Sequence, residues 1–169
     1  DVAARGLDIN GVTHVVNCTA SGADHFAVQP LPGTQRTLTY LKLQLPDDAK
    51  WASAFGARLD GACAFIAAAL AEPGGCVLVH CSAGMSRAPT VCMAYLMDSG
   101  SLSLAEAMRA CKNARTVIAP NPGLVRMLCN REEQKHGRER SVDVQAYEKN
   151  RFAKLDAYTI DVYADSRDR

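Results

Sequence analysis

VHCSAGMSRAPT, Val79 to Thr90, closes an apolar run with a cysteine and then turns through small residues to an arginine. Cys81 and Arg87 enclose five residues, Ser82, Ala83, Gly84, Met85 and Ser86. A strand that ends in a short glycine-containing loop and enters a helix gathers backbone N–H groups around one point. Such a nest at a helix N-terminus binds a tetrahedral anion, and Arg87 adds a planar, two-pronged clamp for phosphate oxygens. The same donors favour a thiolate at Cys81, and a thiolate beneath a bound phosphate is placed for in-line attack on phosphorus. A cysteine at a strand end is more often buried and inert. The coincidence of strand, nest, arginine and helix separates Cys81 from Cys18, Cys63, Cys76, Cys92, Cys111 and Cys129, which read as structural.

Cleaving a phosphate ester also requires a proton for the leaving oxygen. LPDDAKW offers Asp47 and Asp48 at a strand exit, where a loop can carry a carboxyl over the phosphate. Either aspartate can equally be a helix N-cap. After attack, water would hydrolyse the cysteinyl-phosphate with the same carboxylate as base. No cofactor enters this scheme.

Outward from the loop, CVLV (76–79) reads as a short strand buried on both faces. THVVN (13–17) is a second strand, preceded by the turn-like Asn10-Gly11. In TYLKLQL, Leu41, Leu43 and Leu45 alternate with polar residues, a half-buried strand stopped by Pro46. Residues 22–33 are loop-like. From Ala49 to Leu70, Phe55, Leu59, Ala62, Ile66 and Leu70 recur at helical steps, and Pro73-Gly74-Gly75 ends the helix. Residues 88–97 are apolar nearly all round, as in a helix through the core. Ser103 and Glu106 frame a capping box, and Asn121-Pro122 opens a last core helix. Beyond Gln134 charge dominates: Val144, Tyr147, Phe152 and Leu155 form a weak helical face or part of a solvated tail, with no function assigned. The order implies an α/β domain, a small central sheet flanked by helices. The expected units are a catalytic domain over 1–135 and a charged extension over 136–169.

The composition fits one domain: 169 residues, 48% of them apolar. A net charge of +1 gives no electrostatic case for nucleic acid or anionic lipid. No apolar run of membrane-spanning length is read, and no secretory signal. Seven cysteines, an odd number at irregular spacing, argue for free thiols and hence a cytoplasmic or nuclear location. No CxxC or HxxxH pairing offers a metal site.

HCSAGMSRAPTVCMAYLM resembles the signature of the cysteine-dependent dual-specificity protein phosphatases, and the likeness extends from about Gly11 to Gln134. GVTHVVN is similar to that family's early strand, YLKLQLPD to its strand leading to the general-acid loop, and APNPG to its PN-x-G segment. The resemblance implies a cysteine-phosphatase fold and a shallow pocket accepting phosphotyrosine and phosphoserine or phosphothreonine on a protein substrate. It also implies Asp47 as general acid with Asp48 as fallback, and His80 and Asn121 as supports of the loop. Two departures stand out. Relatives usually carry Ser or Thr where this chain has Ala88, a hydroxyl that stabilises the leaving thiolate. The family's first strand would lie before Asp1, which would leave the sheet short of an edge strand. Lys149-Asn150-Arg151 is similar to part of the deep-pocket loop of tyrosine-only phosphatases, but it follows the catalytic segment and is assigned no role.

Four competing readings follow from the residues. DVAARGLDINGVTHVVN is similar to a DEAD-box helicase motif, without that family's other motifs. A phosphoinositide phosphatase would carry lysines inside the loop, and a glucan phosphatase an aromatic platform, for which Trp51 is the single tryptophan. A phosphoprotein-binding domain with stalled catalysis is the alternative from another class. Oligomeric state is left open.

Overall fold

Three short parallel strands, β1 (His14–Asn17), β2 (Thr39–Lys42) and β3 (Val77–His80), form a sheet in the order β2-β1-β3. The structure is a computed structural model that describes residues 11–21, 30 and 35–152. Residues 1–10, most of the loop expected over 22–33, and Leu155 with its neighbours lie outside the described residues. His14 stands opposite Thr39 on one side and Val77 on the other, so the three strands run in step to a common carboxyl end. Central β1 is buried throughout. Its alternation sends Val16 into the main core and Val15 to the opposite face, beside Val12 and Leu38.

Two strand expectations are corrected. β2 stops at Lys42 rather than Leu45, because β1 offers its last carbonyl, that of Asn17, to the Leu43 N–H, and Gln44 turns at φ +52°. Leu43 and Leu45 nevertheless bury their side chains, and Arg58 donates to the Leu43 carbonyl. β3 is half-buried rather than buried on both faces, since among the described residues it is an edge strand.

From β2 the chain crosses over central β1 to reach β3 on its far side, through a 3-10 turn (Ala49–Trp51) and α1 (Ala52–Ala71). The inward stripe of α1 is Phe55, Leu59, Ala62, Cys63, Ile66 and Ala69. Leu70, expected inward, is 45% exposed, because the helical period gives the next core position to Ala69. By length and composition the stretch Ala49–Ala71 is apolar enough to cross a membrane, contrary to the sequence reading. Its stripe packs in the core against α2 (Arg87–Gly100) and α4 (Pro122–His136).

The core is organised around α2, whose Val91, Met93, Ala94 and Met97 are wholly buried. Each large side chain among them stabilises the fold by about 1.5–3 kcal/mol. Helix α3 (Leu104–Ala114) begins at the expected capping box of Ser103 and Glu106. Burial pushes the thiols of Cys63, Cys92 and Cys129 up to about 12 and that of Cys111 to about 11, as expected of packing residues.

The packed body does not stop at 135. Buried Glu132 accepts from the Leu104 N–H and from the Ser141 N–H and hydroxyl, which stitches the following segment onto α4. A short helix, α5 (Val144–Asn150), is capped by Asp143 and buries Tyr147 completely. The solvated-tail reading therefore fails up to Arg151, and Phe152, 76% exposed, marks where packing ends among the described residues.

An ion cluster joins the three long helices. Asp98 of α2 accepts from Arg131, Lys135 and His136 of α4, while Asp60 of α1 accepts from Arg131 and Lys135. Burial opposes ionisation of Asp98, but the hydrogen bonds from Arg131 and Lys135 outweigh it and hold its pKa at about 2. A carboxylate depressed in the folded state stabilises above its unfolded value near 3.8, and the contribution is lost as pH falls towards about 2. With solvent screening at this partly open site the contribution is about 1–2 kcal/mol. Urea denaturation of the parent should lose that stability between about pH 4 and pH 2, and Asp98→Asn should be flatter in this window and less stable above it. Identical profiles for the two proteins would sink the assignment.

Candidate active site

All three strands deliver backbone to one place, the crevice beyond their carboxyl ends, where open parallel sheets place ligands. Cys81 follows β3 directly and is partly exposed. His80 contributes its carbonyl, which accepts from the Cys18 N–H at 2.8 Å and extends the ladder one residue beyond β1. Ser82 and Ala83 are exposed, Gly84 and Met85 half-buried, and Ser86 and Arg87 buried, so the loop dives from the surface into the first turn of α2. Gly84 sits at φ +67°, the left-handed conformation that lets successive amides turn inward.

Arg87 is 8% exposed and held on three sides. Its Nη1 donates to the carbonyls of Cys18 at 3.2 Å and Leu45 at 2.9 Å, and its Nη2 to the Ser82 hydroxyl at 3.0 Å. Its buried Nε, 4.0 Å from Asp47 Oδ2, has no hydrogen-bond partner among the described residues. A phosphate oxygen would satisfy that donor.

Ser86 occupies the N-cap of α2, yet makes no side-chain cap there. Its hydroxyl instead donates to Asp47 Oδ1 at 2.8 Å and accepts from the Asn121 N–H at 2.9 Å. The first-turn amides of α2 are thus left without a side-chain cap, as an anion site requires. Asn121 supports the loop through this backbone N–H, while its side chain caps α4 by accepting from the Gly123 N–H.

The two neighbouring aspartates part company. Asp47 is brought to Ser86 and Arg87. Asp48 is exposed and caps the 3-10 turn; the backbone N–H of Lys50 first, and its ammonium second, hold the carboxyl below the usual range. Among the candidates the structure gathers Cys81 to Arg87, Asp47 and Asn121 at one point and leaves Asp48 as a helix cap. Ala88 is 4% exposed in the first turn of α2.

Sequence reasoning missed the carbonyls of Cys18 and Leu45, since backbone acceptors leave no residue-type signal. It also missed Arg115, whose exposed guanidinium lies over the loop: a Cβ at Gly84 would meet its Nε at 3.4 Å. Its position at the end of α3, where cations complement a helix terminus, was the available hint. Nor was the strap Ile118–Asn121 foreseen, in which the Ala119 N–H donates to the Met85 carbonyl at 2.8 Å.

This is the arrangement of a cysteine phosphatase, and the comparisons agree. Residues 1–134 match the family described as dual specificity phosphatase, catalytic domain. Dual specificity protein phosphatase 26 of Bos taurus is 38% identical over 126 residues, covering 73% of this chain and 56% of the relative. Dual specificity protein phosphatase 5 of Rattus norvegicus is 49% identical over 63 residues, 37% of this chain and 16% of the relative. The chain thus spans about half or less of these relatives' lengths. Human DUSP28 superposes with a TM-score of 0.66 at 36% identity, covering 80% of this chain and 84% of that one. A mouse dual specificity phosphatase complexed with zinc tungstate gives 0.65 at 31%, covering 80% and 79%. The chain belongs to the dual specificity phosphatase family.

The segment after Asp47 is pinned by a close approach. A Cβ at Gly123 would meet Ala49 Cβ at 2.6 Å and Cα at 2.7 Å, so the first turn of α4 admits the 3-10 turn only with glycine there. Gly123→Ala should lower stability by about 1–3 kcal/mol through overpacking. Gly61→Ala, whose methyl meets nothing within 4 Å on α1, should raise it by about 0.5–1 kcal/mol. The two urea midpoints test this pair, and a Gly123→Ala midpoint equal to the parent's would refute the packing argument.

Proposed function

We propose that this domain hydrolyses phosphotyrosine and phosphoserine or phosphothreonine in protein substrates through a cysteinyl-phosphate at Cys81. The observation that carries the reading is Arg87: a guanidinium fixed by two carbonyls and a hydroxyl, with a buried Nε–H that has no acceptor among the described residues. Fixed donors of this kind stabilise phosphoryl charge without reorganising during reaction. The Cys81 thiolate attacks phosphorus as the ester P–O bond breaks, and Asp47 gives its proton to the leaving oxygen. Water then attacks the phosphoenzyme, Asp47 takes its proton, and the P–S bond breaks to restore the thiolate. No step of this scheme requires a metal.

The family and the exposed mouth formed by Ser82 and Ala83 favour a protein side chain as substrate. The loop carries no lysine to meet a polyphosphorylated head group. Arg115 supplies one cation at the rim, suited to acidic flanking sequence.

Steady-state hydrolysis of phenyl phosphate and an activated aryl phosphate, with chelator present, tests the scheme. The parent should turn over many times and Cys81→Ser not at all. Asp47→Asn should lose about 10²-fold with the poor leaving group and much less with the activated one. Turnover by Cys81→Ser would refute the mechanism.

Ala88 gives the binding alternative its one specific support, because a buried methyl stands where a hydroxyl would stabilise the departing thiolate. Ala88→Ser should speed phosphoenzyme breakdown about 10-fold, an effect of one charge-assisted hydrogen bond. Rapid-mixing kinetics would show a burst in the parent that shrinks in the variant. An unaltered burst would clear Ala88 of that role.

A further inference from the structure

The strap Ile118–Asn121 holds no nucleophile or charge, yet four hydrogen bonds grip its carbonyls. Lys112 Nζ donates to the Ile118 carbonyl at 2.7 Å. Arg151 donates twice to the Ala119 carbonyl, from Nε at 3.0 Å and from Nη2 at 2.8 Å. The Tyr147 hydroxyl donates to the Pro120 carbonyl at 2.6 Å. The strap's amides face the other way: Ala119 N–H goes to the Met85 carbonyl, and Asn121 N–H to the Ser86 hydroxyl that holds Asp47. Ala119 is therefore bonded on both sides, to the phosphate loop through its N–H and to Arg151 through its carbonyl.

Tyr147 and Arg151 lie beyond residue 134, where the family match ends. Apolar packing explains the Tyr147 ring, which is wholly buried with Val144 nearby in the core. It does not explain why a hydroxyl and a guanidinium both end on the peptides that carry the loop. We propose that α5 with Arg151 is a clasp for the phosphate loop, and that Tyr147 and Arg151 are positioning residues acting through the strap on Met85, Ser86 and Asp47. The inference rests on the phosphatase reading above. The chain entering α5 is itself anchored at Glu132 through Ser141, so the clasp is tied at both ends.

The test removes only the polar termini, in the full chain: Tyr147→Phe, Arg151→Met and the conservative Arg151→Lys. Arg151 is half-buried, so its variants keep the packed core even where Tyr147→Phe is less stable. Amide hydrogen exchange over 82–87 should accelerate about tenfold in Tyr147→Phe and Arg151→Met, with α2 residues 91–97 unchanged. The rate with phenyl phosphate should fall about tenfold and that with an activated aryl phosphate less than about twofold, because loosened Ser86 misplaces the acid and not the nucleophile. Arg151→Lys should restore much of both. Unchanged exchange over 82–87, or an equal loss with both substrates, overturns the clasp. If Asp47→Asn in the otherwise native chain shows no leaving-group preference, the phosphatase reading has failed in its acid, and the exchange measurement alone decides the clasp.

Discussion

A guanidinium cannot enter a protein interior without acceptors; an unpaired buried charge costs several kcal/mol. Arg87 solves this with backbone. Parallel strands leave carbonyls free where their ladders end, and Cys18, one residue past β1, and Leu45, three past β2, supply two such oxygens to one Nη1. The left-handed turn at Gln44 comes just past the end of the ladder, and beyond it Leu45 gives its carbonyl to Arg87 while its side chain stays in the core. One buried cation thus ties two strand ends to the loop of Cys81.

Ser86 is the second junction. A serine at a helix N-cap ordinarily satisfies an amide of the first turn, worth about 1 kcal/mol. Here that stabilisation is forgone, and the hydroxyl joins α4, through Asn121, to the loop of Asp47. The helix end is left to an anion, which both the amide nest and the macrodipole favour. On the function proposed above, a bound phosphate would stabilise this end of the helix, as expected of a binding loop on a rigid scaffold.

Where the pattern is local, the sequence was legible. The capping box at Ser103 and the proline-led start of α4 rest on contacts within a few residues, and the inward stripe of α1 and the Cys81–Arg87 spacing show in a local pattern of residue types. What stayed hidden depends on chain segments far apart. The end of β2 was set by where β1 runs out of carbonyls. The packing of 137–151 was masked by surface charge, although Tyr147 and Arg151 bond to residues 27 and 32 positions away. Arg151 was noticed only for a chance likeness to a loop of other phosphatases. Its actual partners are backbone carbonyls, which no motif records.

Asp47 and Asp48 show why residue type cannot by itself assign chemistry. Their sequence context is nearly the same, and each is a credible proton donor or helix cap. Folding separates them: Asp48 takes two hydrogen-bond donors from Lys50, which favour its ionised form and make it a poor acid near neutral pH. Asp47 faces Ser86 and the Arg87 Nε instead, beside the atoms where a leaving oxygen would sit. A capping carboxylate is useful because it stays charged, whereas a general acid must give up a proton and regain it each turnover. With both at one strand exit, Asp48 starts the helical turn and leaves Asp47 free for the role proposed for it.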